Sequence, residues 1–266
     1  MASRKEQKEQ ARARRLAEER DRTERARRDR RLRMIGGVVA GVIVVVAVGI
    51  AVSSGGSSAP VGLQNGTTAN RTATSVQSLL AGIPQSGARL GSPKAPVTMT
   101  YYGDLECPFC SQFSVSGGFP QLVENEVKQG KVQVVYRAFE TATQDPSVFK
   151  TEHVAALAAG QQQRFWNFVE LFYHQQGPEG SGYVTESYLG GLAKQVAGLN
   201  LSRWESDRNN PALANQIASD EQMGTAAGVQ GTPTVLFQGP KGKASPAAAG
   251  ALPTYSELQQ AIKQVS

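Results

Sequence analysis

Cysteine and histidine are scarce in this chain: 266 residues hold two of each. So few thiols exclude the densely cross-linked scaffold of a small secreted module. The histidines, His153 and His174, show no metal-site spacing with the cysteines, and a zinc site ordinarily takes four ligands. Internal repeats are absent, which argues against a solenoid. Positive charge is also missing from most of the chain. Residues 1–33 carry 14 Lys/Arg against 7 Asp/Glu, leaving residues 34–266 about one charge negative. The basic pI therefore belongs to the tail, and the remainder does not read as a nucleic-acid binder.

Charge vanishes altogether from Met34 to Val52, a run of 19 residues rich in Val, Ile, Ala and Gly. At about 1.5 Å per residue, a helix of this length covers roughly the 30 Å hydrocarbon core of a bilayer. Basic residues crowd its N-terminal side and none follows until Arg71. The expectation is one transmembrane anchor at 34–52, a basic cytoplasmic tail at 1–33 and an extracytoplasmic remainder. A cleaved signal peptide ending near Ala51-Val52-Ser53 is the rival, but its apolar core runs to only about 7–15 residues. Residues 53–85 are rich in Ser, Gly, Thr, Asn and Gln. They read as a flexible extracytoplasmic linker, with a short helix near Val76–Leu80 the one candidate element.

Residues 86–266 are long enough for a single α/β domain with its own core. The β-branched and aromatic run Pro96–Tyr102 predicts a strand. A helical pattern follows through Phe113, Phe119, Leu122, Val123 and Val127, weakened by Gly117-Gly118 and Pro120. Val132–Phe139 predicts a second strand, so the unit suits a parallel crossover. From about 146 to 223 the apolar spacing is helical, with Thr185 as one cap and Trp166 and Trp204 as core residues. Val235–Phe237 predicts a third strand and 247–251 a fourth. Thr254-Tyr255-Ser256-Glu257 is a capping box before a terminal helix marked by Leu258, Ile262 and Val265.

The two cysteines stand together as Cys107-Pro108-Phe109-Cys110, just past the first strand. Thiol–disulfide exchange needs one sulfur to attack and a second to resolve the mixed disulfide. Two intervening residues place both thiols on one turn at a helix start, where free N–H groups and the helix dipole favour a thiolate. Cys107 is then the exposed attacking thiol, with its pKa drawn below the usual value of about 8.5, and Cys110 the buried resolver. Pro108 suits the first helical position. Phe109 brings no charge and offers an apolar contact to substrates. A structural bridge, a metal site and a copper relay through the two thiols are the competing readings. Closing so short a loop stabilises by only about 2 kcal/mol, which weakens the first. Asp104 and Glu106 flank the pair. They read most plainly as solvated loop charges, and if buried beside Cys107 they would raise its pKa. As functional groups they are the candidates for a proton relay to Cys110.

Asp104-Leu105-Glu106-Cys107-Pro108-Phe109-Cys110 after a strand, together with Gly228-Val229-Gln230-Gly231-Thr232-Pro233-Thr234 before one, resembles the DsbA-like thiol–disulfide oxidoreductases of the thioredoxin superfamily. The resemblance spans about residues 88–266. It implies a thioredoxin fold with an inserted helical subdomain, preceded here by the transmembrane helix. It further implies a cis Thr232–Pro233 bond lying against the cysteines, with the Thr232 backbone free to pair with an extended substrate. Thr232, Pro233 and Phe109 are thus the expected substrate-binding residues. The implied activity needs no metal and no cofactor beyond the Cys107–Cys110 disulfide. The implied partners are unfolded or reduced secreted proteins and a membrane quinone-linked oxidase that restores the disulfide. Oxidases of the family often carry His between the cysteines, where this chain has Phe109, so a strongly oxidising potential is not implied. A reductase or isomerase of the same fold, or a thioredoxin-like binding module with a structural disulfide, remain the alternatives.

Overall fold

A computed structural model describes residues 61–246 and 252–266. The expected tail, the 34–52 span, the first part of the linker and the expected strand at 247–251 lie outside these residues. Among the described residues no helix is long and apolar enough to cross a membrane.

In chain order the elements are α1 (Gly66–Leu80), β1 (Gln85–Ser86), β2 (Arg89–Leu90), β3 (Val97–Gly103), α2 (Pro108–Val115), α3 (Phe119–Leu122) running into a π-turn at Val123–Val127, and β4 (Val132–Ala138). Then come α4 (Pro146–Gly160), α5 (Phe165–His174), α6 (Glu186–Gln195), α7 (Leu201–Asp207) and α8 (Pro211–Ala226), followed by β5 (Thr234–Gly239), β6 (Gly242–Ala244) and α9 (Tyr255–Val265). One sheet of order β1-β2-β4-β3-β5-β6 carries the fold. β3 and β4 pair in parallel, with Tyr101 opposite Tyr136, and β5 pairs antiparallel to β3, with Val235 opposite Tyr101. This is the thioredoxin plan, with α4 to α8 inserted between its β-α-β and β-β-α halves.

The sheet forms where the sequence alternates. Val97, Met99 and Tyr101 are buried along β3 while Thr98 and Thr100 are only half-covered. Tyr101 meets Phe113 edge-on at 5.3 Å, and Phe119 stacks on Trp166 at 5.3 Å. These rings join the first helix of the crossover to the inserted helices. Both tryptophans are core residues, as expected; each ring N–H is bonded to a carbonyl, Trp166 to Ala88 and Trp204 to Ala155. The crossover helix breaks at Ser116-Gly117-Gly118. A Cβ on Gly118 would come within 2.7 Å of the Pro253 carbonyl, so a glycine is required where the start of α9 crosses. Thr185 caps α6 through the Tyr188 N–H, and the Thr254–Glu257 capping box opens α9.

One expectation needs correction. The stretch from 66 to 85 is not linker. α1 buries Ala69, Val76 and Leu80 and packs against α5, and the Gln85 side chain accepts the Trp166 N–H at 3.1 Å. The folded unit therefore begins well before residue 86. Its apolar contacts come only every third or fourth residue in a Thr- and Ser-rich helix, too sparse to stand out by composition. β5 pairs on its outer side with Gly242–Ala244, reached by a tight hairpin.

Candidate active site

The sequence reading puts both thiols at a helix start, and the fold does so. Cys107 has extended backbone and occupies the cap position of α2, with Pro108 first in the helix. Both thiols are free; Cys110 is fully buried as expected, but Cys107, expected to be exposed, is buried too, at 4% exposure. The loop from Gly231 crosses over them. The Thr232–Pro233 bond is cis, and the Cys107 thiol donates to the Thr232 carbonyl at 3.3 Å. Residues 125 positions apart are thus in contact, as the resemblance implies.

The two thiols are electrostatically unlike. Hydrogen bonding from the Cys110 thiol, opposed by burial but helped by Thr232 and the backbone N–H groups of Cys110 and Phe109, draws the Cys107 pKa down to about 7. Burial pushes the Cys110 thiol well above its usual value, and the bond to Cys107 and the Cys107 charge add to the rise. At neutral pH one sulfur is available as a nucleophile and the other keeps its proton, the division that exchange requires. Phe109 projects outward, 61% exposed, beside the attacking thiol.

Asp104 and Glu106 are buried, not solvated. Oδ2 of Asp104 accepts the N–H groups of Thr141, Ala142 and Thr143 at 2.8, 2.7 and 3.0 Å. Oδ1 accepts the Thr143 hydroxyl at 2.6 Å and the Glu106 N–H at 3.0 Å. Burial alone would raise this carboxyl; the Thr143 hydroxyl and the three backbone donors outweigh it and hold the pKa below the usual range. The expected relay role does not suit a group so fully bonded. Asp104 instead ties the Cys107 loop to the 141–143 loop. Glu106 behaves oppositely. Burial, then the charges of Asp104 and Glu179, lift it to about 7. Buried carboxylates nearby do not raise Cys107, because its local hydrogen bonds prevail.

Three further residues shape the site without any sequence signal. Gln176 donates to the carbonyls of Leu105 and Cys107 at 2.6 and 3.1 Å, holding the loop from the far end of α5. Tyr101 reaches the Cys110 carbonyl at 3.4 Å, and Thr141 meets the Thr232 hydroxyl. Each lies far in sequence from what it touches or sits inside a strand pattern, so only the fold exposes its role. His153 and His174, considered as ligands, lie apart from the thiols. His153 bonds Phe149 and Tyr136, and burial depresses both imidazoles, His153 to about 4. Among the described residues no cluster suited to a metal occurs.

A family model described as thioredoxin matches residues 85–264. The chain is 27% identical over 157 residues to a probable disulfide bond formation protein D of Bacillus anthracis, covering 56% of this chain and 69% of that protein. Among solved structures it is similar to oxidised BdbD of Bacillus subtilis, with a TM-score of 0.56, 22% identity, and coverage of 70% of this chain and 96% of that one. It is also similar to alpha-DsbA1 of Wolbachia pipientis, with a TM-score of 0.52, 20% identity, and coverage of 70% and 92% respectively. With the dithiol, the helix start and the cis-proline loop in place, these matches identify the chain as a member of the thioredoxin family and a DsbA-like thiol–disulfide oxidoreductase.

Proposed function

We propose that the protein oxidises cysteine pairs in unfolded or reduced secreted proteins, using Cys107 as the exchanging thiol and Cys110 as its resolver. The observation that carries this is the Cys107 thiol, lowered to about 7 and set against Thr232, with Cys110 sealed beneath it. A substrate thiolate attacks the Cys107 sulfur of the disulfide. Cys110 leaves as a thiolate and takes up a proton. A second substrate thiolate then attacks the substrate's own sulfur in the mixed disulfide, releasing Cys107 and the oxidised substrate. Thr232 and Pro233 bind the extended substrate backbone, and Phe109 gives it an apolar contact. Relatives named for disulfide bond formation support the oxidising direction. The electrons leave through a membrane quinone-linked oxidase, which restores the disulfide; the uncharged run of residues 34–52 supports a membrane anchor, with the domain extracytoplasmic.

The deciding measurement is the reduction potential of the protein in glutathione buffers. A Cys107 thiol near 7 and Phe109 in place of histidine stabilise the reduced form only moderately. This argues against the −120 mV of the strongest oxidants, and the relatives named for disulfide bond formation point to a value toward about −180 mV. A value near −270 mV would make the protein a reductase. A bridge that glutathione cannot open would make it a binding module.

Glu106 is the group suited to give Cys110 its proton, because its carboxyl titrates near neutrality one residue from Cys107. A carboxylate close enough to pass that proton would also shift Cys107 as it ionises. Thiolate absorbance followed against pH is expected to rise in two steps in the wild type and in one step in Glu106→Gln. A single step in both proteins would remove Glu106 from the site's acid–base chemistry.

A further inference from the structure

Behind the Cys107 loop lies a carboxyl group that the exchange reaction leaves unused. Glu152 of α4 is fully buried, and its Oε2 has no hydrogen-bond partner. Its Oε1 lies 3.2 Å from the Thr143 hydroxyl, which in turn lies 2.6 Å from Asp104. A hydroxyl has one proton to donate. Asp104 takes it, because its ionised oxygens can only accept. The contact between Glu152 and Thr143 is then a hydrogen bond only if Glu152 supplies the proton, as a neutral carboxylic acid.

Among the described residues no cation relieves Glu152. His153 Nδ1 is 3.5 Å away but donates to the Phe149 carbonyl at 2.8 Å, leaving Nε2 to accept from Tyr136. The other groups facing it are acidic or phenolic: Asp104 and Glu106 from the Cys107 loop, Glu140 after β4, and Tyr183 and Tyr188 around the start of α6. Tyr173 of α5 turns to Tyr136, Asp220 of α8 to Arg137, and α7 presents Trp204 to the Ala155 carbonyl. Burial and the Asp104 charge both favour the protonated form.

We propose that Glu152 is a positioning residue of the dithiol site: as a neutral acid it donates to Thr143, leaves the Thr143 proton to Asp104, and so fixes the loop that carries Cys107. The proposal rests on the redox reading only in its thiol measurements. A glutamine preserves the donor and abolishes the titration; an alanine removes both.

The test compares full-length wild type with Glu152→Gln, Glu152→Ala, Thr143→Val and the Glu152→Ala/Thr143→Val double variant. Unfolding is measured against pH, and Cys107 acidity from thiolate absorbance. A carboxyl protonated in the fold and ionised when unfolded destabilises the wild type as pH rises. The folding constant of Glu152→Gln relative to wild type should therefore grow about tenfold per pH unit above roughly pH 4.3, until Glu152 itself ionises in the fold. Glu152→Gln should leave the Cys107 pKa unmoved. Glu152→Ala and Thr143→Val should each raise it by about half a unit or more, and the double variant no further than Thr143→Val. A pH-independent stability ratio, a glutamine that shifts Cys107 as far as alanine does, or additive effects in the double variant would each overturn the proposal. Should Glu152→Ala fail to fold, Glu152→Gln decides alone. If the wild-type thiols do not exchange at all, the redox reading falls, while the stability measurement still reports on Glu152.

Discussion

Replacing Cys107 with serine is expected to reduce oxidation of a dithiol peptide by at least about 10³-fold, because no other sulfur can form the mixed disulfide. Cys110 cannot substitute: it is fully buried, and its thiol is held well above its usual pKa. Cys110→Ser is expected to fail differently. It keeps the attacking thiolate and loses the resolver, so adducts between Cys107 and substrate should accumulate and appear as reductant-sensitive bands on non-reducing gels. Substantial turnover by Cys107→Ser, or no trapped adduct from Cys110→Ser under oxidising conditions, would reverse or remove the roles assigned to the two sulfurs.

The second large effect belongs to Asp104. Asp104→Ala is expected to destabilise the protein by about 3–5 kcal/mol, since it strands four donor groups, two of them buried and two partly buried, around an emptied site. Three are the backbone N–H groups of residues 141–143; the fourth is the N–H of Glu106. The Thr143 hydroxyl can rotate away, the backbone donors cannot. The pH dependence follows from the lowered folded pKa. Stability contributed by Asp104 is complete above the unfolded value of about 3.9 and is lost as pH falls through the folded value. Chemical denaturation of wild type and Asp104→Asn should therefore converge in acid and diverge toward neutrality. Parallel curves would mean that the carboxylate is not the anchor of these loops. The same variants should also show a less acidic Cys107, because the loop that presents its sulfur to the α2 N–H groups is no longer held.

Much of this arrangement is legible in the residues themselves. Cys107 and Cys110 declare the chemistry by spacing, and the strand–helix–strand pattern around them, the inserted helices and the terminal capping box are all local signals. Thr232 and Pro233 are legible only through family resemblance, since nothing in their composition points to a contact 125 residues away. Asp104 and Glu106 show the limit most clearly. Adjacent to the cysteines and charged, they read as surface residues, yet the 141–143 loop covers one and the Leu105–Cys107 turn buries the other. Burial of a charge depends on what the rest of the chain brings over it, which a local pattern does not encode. Only the end of α1, near Val76–Leu80, reads as helix, for a related reason: its few buried side chains stabilise it only because α5 is there to receive them. Gln176, Thr143 and Glu152 carry no motif, and their significance lies in donor and acceptor counts within the folded site.

The order of strands also governs when the site exists during synthesis. β3 sits between β4, some 30 residues later, and β5, about 130 residues later. A growing chain can close the β3–β4 crossover early and pack the inserted helices on it. It cannot cover Cys107 with Thr232 until the segment ending at Gly239 has emerged. Until then one edge of the central strand is open, and the paired cysteines lack half of their surroundings. Any nascent or truncated product that stops short of the Thr232 loop is therefore a dithiol without a binding loop, and the mature reactivity of the pair waits on a segment made long after the cysteines themselves.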